Sequence, residues 1–163
     1  MKNNSKIQKI ELFEISVIAF FYILPAISIA TEYLYDKSSI IYIAVKWILF
    51  WGVGMRLFTC GLKQAIQPAF TAKSIFDIRE EKAYSIVREL GFANISTGLC
   101  GILSLFYGGF RGAVWVIGLI YYMLALIQHT VRKEKNASER FVTITDFTIV
   151  LELIISGLLL ANR

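Results

Sequence analysis

The chain has 163 residues, 56% of them hydrophobic, with a formal net charge of +5 and a mean hydropathy of +0.61. That apolar share exceeds what a soluble domain of this length carries, and the excess has to face lipid. The positive charge is then accounted for by topology and attraction to anionic headgroups, and no nucleic-acid partner is called for.

Apolar residues gather in five blocks of about 20, the helical length that crosses roughly 30 Å of hydrocarbon. The first runs over 12–30, where Pro25 predicts a kink whose freed carbonyl needs a partner inside the bundle. Ser28 and Ala30 have signal-peptidase spacing, but the apolar stretch is too long for an h-region and opens with Glu11 and Glu14, so it is expected to stay as a span. The second block, 40–62, is interrupted by Lys46 and Arg56. Between 63 and 88 the chain is long and not loop-like: Ile75, Phe76, Arg79, Ala83, Ile86, Val87 and Leu90 share a helical face, which predicts an interfacial amphipathic helix over about 72–89. The remaining spans are expected at 90–107, 113–131 and 142–161. Tyr33, Tyr35, Tyr42, Tyr107 and Trp115 fit an interfacial aromatic belt.

Lys and Arg set the orientation. Lys2, Lys6 and Lys9, then Lys63, Lys73, Arg79, Lys82 and Arg88, then Arg132, Lys133, Lys135 and Arg140 fall on one side, against Lys37, Arg111 and Arg163 on the other. The expectation is an all-α bundle of five transmembrane helices forming a single integral membrane domain over 1–163. It would lie in the cytoplasmic (inner) membrane, with the N-terminus in the cytosol and the C-terminus outside.

Ionisable groups at membrane depth are costly, so they mark positions of interest. Helical phase gives each span a polar or small stripe: Gly52, Arg56, Thr59 and Lys63 in the second; Gly91, Asn94, Gly98 and Gly101 in the third; Trp115, Gly118, Tyr122, Ala125 and His129 in the fourth; Thr145, Thr148, Glu152 and Ser156 in the fifth. Such stripes turn inward, which predicts a cytosol-facing polar cavity built from Arg56, Glu89, Asn94, His129, Asp146 and Glu152. Burial of Arg56 calls for an anion, with Glu14, Glu89 and Glu152 as candidates. That cluster reads as a structural ion pair, as a ligand or proton site, or as an arginine snorkelling to headgroups. His129 reads as an interfacial side chain or as a relay or ligand contact. One histidine without a cysteine cluster gives no metal set, no cofactor motif occurs, and Cys60 and Cys100 are expected to be free thiols.

The stretches "QPAFTAKSIFDI" and "VRELGFANISTGLCGILSLF", with the "DF" that opens the last span, resemble a family of small prokaryotic multi-spanning membrane proteins of unknown function, over roughly residues 60–160. The resemblance implies a helical bundle in which the run Arg88 to Asn94, His129 and Asp146 form a site, and it implies no activity. The chain matches the five-helix tryptophan-rich sensors in size but lacks their Trp- and Pro-rich spans. Binding or transport of a small molecule or ion is the expected function, with a homo-oligomer called for if it transports. The alternatives are an enzyme acting on a lipid or quinone, with Glu89 or His129 as acid or base, and a noncatalytic assembly subunit.

Overall fold

The computed structural model describes residues 12–36, 38–133 and 136–161. Of the charge pattern above, Lys2, Lys6, Lys9, Lys37, Lys135 and Arg163, with Glu11, lie outside the described residues. The elements are α1 (Leu12–Tyr35), α2 (Ile40–Ile66), α3 (Pro68–Ser74), α4 (Ala83–Phe106), α5 (Phe110–Val131) and α6 (Ala137–Ala161). All but α3 are long and apolar enough to cross a membrane, and no strand occurs among the described residues.

Most of the helices outrun their apolar blocks, because hydropathy ends where polar residues begin whereas a helix ends where its backbone is stopped. At α6 the stop is Asn136, whose Oδ1 accepts the Glu139 backbone N–H at 2.8 Å, an N-cap six residues before the apolar block begins. In α1 the turn before Pro25 winds as a π-helix, Ala19–Ile23, and the Leu24 N–H reaches back to the Ala19 carbonyl. A second π-helical stretch, Leu49–Met55, interrupts α2 immediately ahead of Arg56.

The tightest packing joins α2 to α4. A Cβ at Gly98 would stand 2.3 Å from the Phe58 backbone nitrogen, and one at Gly101 would stand 2.5 Å from the Gly54 Cα. Only glycine admits such backbone approach, and between apolar helices in lipid this close contact supplies the attraction that water would otherwise drive. Around the seam, Val17, Phe21, Leu49, Val53, Val114, Ile149 and Leu153 form the core. Ile27, Phe92, Ile120 and Ile155 stand exposed on the outer faces, as lipid-facing side chains would.

Two expectations are corrected here. The amphipathic helix over 72–89 is not continuous: α3 ends at Ser74, Asp77 takes a positive φ of 53°, and α4 starts at Ala83. Aspartate tolerates that left-handed conformation, and the Phe76 and Ile78 N–H groups turn back to the Thr71 and Ala72 carbonyls to close the helix end. Trp115 is no belt residue; its indole lies on Gly157 and donates to the Leu153 carbonyl at 2.8 Å.

At the α1–α2 end, Glu32 accepts from both the Lys46 ammonium and the Trp47 indole, the latter at 2.6 Å. At the α4–α5 turn, Arg111 donates to the Ser104 carbonyl at 3.1 Å, so an orphan helix-end acceptor is satisfied, and it also lies over the Tyr42 ring.

Candidate functional site

At the opposite end, where α2 connects to α4 and α5 to α6, a cavity of about 590 Å³ is lined by residues of all six helices. Arg56, Cys60, Lys63 and Gln64 line it at successive-turn spacing along α2, and Val142 and Asp146 do the same along α6. Tyr121, Tyr122, Ala125, Gln128 and His129 form the α5 wall; Phe13 and Phe20 of α1 face them, with Phe70 and Phe76 at the water-side end. The lining is therefore mostly aromatic and aliphatic, with a few converging polar groups.

Arg56 is the central polar group. Its guanidinium lies 5.5 Å from the Phe13 ring centroid and 5.8 Å from that of Phe21. Its Nε is buried and makes no hydrogen bond. Among the described residues no carboxylate forms an ion pair with it, while Asp146 acts on it electrostatically from across the cavity. The counter-charge expected from Glu14, Glu89 or Glu152 is thus replaced by aromatic faces and a more distant aspartate. Lys63 stands 3.6 Å from the Phe70 ring centroid on the same wall. Tyr122 donates its hydroxyl to the Gly52 carbonyl at 2.7 Å, inside the π-helical stretch where the ordinary hydrogen-bond ladder is interrupted.

Asn94 is buried behind the α2 wall and donates to the Gln64 side-chain oxygen at 2.8 Å, orienting an amide that does line the cavity. His129 is buried near the end of α5. Its Nδ1 lies 3.2 Å from Glu139 Oε1, Arg132 stands 3.4 Å from the other Glu139 oxygen, and Phe76 stacks on the imidazole. Glu139 itself is fully buried at the start of α6.

Two expected members are elsewhere. Glu89 is exposed: it sits two residues, about 200° of helical turn, from Gly91 on the buried stripe of α4. Glu152 is half-buried about 9 Å further along α6 than Asp146 and does not line the cavity. So Arg56, His129 and Asp146 are brought together, Asn94 supports them from behind, and Glu89 and Glu152 stand apart. Gln64, Tyr121, Tyr122 and Glu139 are the additions. Gln64 is legible as the residue two turns beyond Arg56, and Glu139 as the fourth member of the Asn136-x-x-Glu139 cap pattern.

Five apolar helices around an aromatic-walled cavity with an arginine that no described carboxylate pairs directly define a helical bundle with the dimensions of a multi-pass membrane protein. The chain belongs to a family of unknown function (DUF6790), which matches residues 12–163 and so takes in α1 and α2 as well as the stretch over which the resemblance was seen. No curated protein and no solved structure matches it.

Proposed function

We propose that the chain is a multi-pass protein of the cytoplasmic membrane that binds a small molecule or ion in the cavity, as a binding protein or as part of a transporter. The observation that carries this reading is Arg56, a permanently charged group at the cavity wall that forms an ion pair with no carboxylate among the described residues. A buried guanidinium without a direct counter-ion is costly, and a ligand carrying complementary charge offsets that cost when it binds. The cavity volume lies within the range of about 300–1,000 Å³ typical of small-molecule sites.

The proposed orientation puts the cavity at the cytosolic end, supported by Lys63, Lys73, Arg79, Lys82, Arg88, Arg132, Lys133 and Arg140 clustering there, against Arg111 at the far end. Native mass spectrometry of detergent-released protein tests the binding. An adduct on the wild-type chain that is absent from folded Arg56→Gln is expected, and identical spectra from the two proteins would overturn the reading.

A second reading, acid or base chemistry on the bound molecule, draws on His129, which lines the cavity and is oriented by Glu139. It predicts turnover by purified protein that is lost in His129→Ala while the adduct is retained.

A further inference from the structure

The cavity is roofed on its water side and open on its flank. Over the connecting end lie α3 and residues 75–76, fastened by three contacts. Arg132 donates to the Phe76 carbonyl at 2.7 Å, Asn136 donates to the Ser74 carbonyl at 2.9 Å, and the Phe76 ring lies parallel to that of His129 with centroids 6.1 Å apart. On the flank the situation reverses. Leu124 lines the cavity and yet is 61% exposed. Gln128, one turn on, is also both lining and exposed, and Leu90 of α4 belongs to the same lining. Leu124 precedes the last residue of α5, Val131, by about 10 Å of helix, which places the opening between α4 and α5 at the depth of acyl chains rather than of headgroups.

The lining chemistry points to the same kind of occupant. Phe13, Phe20, Leu57, Phe70, Phe76 and Val142 offer hydrocarbon and aromatic surface, which suits an apolar body. Among the charged lining groups Arg56 is a permanent cation whose buried Nε has no acceptor, which suits an anionic head. An inorganic ion or a wholly polar metabolite would use Arg56 and leave the apolar walls without a partner.

Resting on the binding reading above, we infer that the occupant is a single-chain anionic amphiphile, a long-chain carboxylate in its simplest form. It would reach the cavity laterally from the membrane through the α4–α5 opening, its head toward Arg56 and its chain along the phenylalanine walls.

The test uses full-length protein in phosphatidylcholine nanodiscs and three radiolabelled probes: oleate, butyrate with the same head and almost no chain, and oleyl alcohol with the same chain and no charge. Saturable oleate binding at one per chain is expected, at least about tenfold tighter than either other probe and weakened about tenfold in Arg56→Gln through loss of the charge-assisted contact. Leu124→Trp, on an exposed position where a larger ring fits, is expected to slow oleate uptake while leaving the thermal transition unchanged. If butyrate binds as tightly as oleate and Arg56→Gln abolishes both, the amphiphile inference falls and the binding reading stands. If oleyl alcohol matches oleate and Arg56→Gln changes nothing, both fall. Should Arg56→Gln fail to fold, the ratio of oleate to oleyl alcohol and the uptake rate of Leu124→Trp decide the matter, and a ratio near one with an unaltered rate overturns the inference.

Discussion

Lys46 and Arg56 stand about 15 Å apart along α2, both inside a helix long and apolar enough to cross a membrane, and their surroundings differ in kind. Lys46 is closed off: Glu32 of α1 takes its ammonium on one oxygen and the Trp47 indole on the other, so both charges and the indole N–H in that clasp have partners. Arg56 meets aromatic faces, a distant aspartate and a cavity, and its Nε has no acceptor. The lesson is that an ionisable residue in a membrane-length helix does not by itself mark a site. Completeness of pairing separates a fastening from a place where something else can bind.

That contrast can be broken or sharpened by substitution, with effects expected to decline in the following order. Lys46→Met leaves Glu32 half of its pairing and should cost about 3 kcal/mol, with most of the loss recovered in the double variant Lys46→Met/Glu32→Gln. Thermal unfolding in detergent measures both, and equal losses in the single and double variants would show that the two charges are not coupled. Gly98→Ala drives a methyl into the Phe58 backbone and should cost about 2 kcal/mol by overpacking the α2–α4 seam. A neutral result there would mean the seam opens freely. Tyr122→Phe removes the donor to the Gly52 carbonyl and should cost about 1 kcal/mol in the same assay. Arg56→Met should be the least destabilising, leaving stability unchanged or raised, because it removes a buried charge that lacks a direct ion-pair partner. If Arg56→Met destabilised the protein as strongly as Lys46→Met, the distinction between a closed and an open charge would collapse.

The number and type of the helices were legible because long apolar blocks have few alternatives in a chain this short, and the stripes on α2 and α4 followed from helical phase. What escaped reading has a physical cause in each case. The break after Ser74 rests on one left-handed aspartate, Asp77, which an apolar periodicity of helix type conceals. Glu89 is expected in the cavity as a candidate anion for Arg56. Its phase relative to Gly91 and Asn94, already visible in the sequence, points it away from the buried stripe. Glu139 falls before the expected start of the last span at 142, although Asn136 three residues earlier is a helix-start signal. The acceptor for Arg56 was sought among carboxylates, and no pattern along the chain shows that Phe13 and Phe21 of a different helix present their rings to it.

The π-helical stretch Leu49–Met55 has a consequence for lineages of this chain that gain or lose residues. A wide turn of that kind holds a surplus residue relative to ordinary α winding, and it lies immediately upstream of Arg56, so it sets the azimuth of everything that follows on α2. Deleting one residue within it would let the stretch rewind as ordinary α-helix with one residue fewer, so Arg56, Cys60, Lys63 and Gln64 would keep nearly their present azimuth. The same deletion in the ordinary α-helical turns beyond it would swing whatever follows by about 100°. The wide turn is therefore the place on α2 where a change of length is best absorbed.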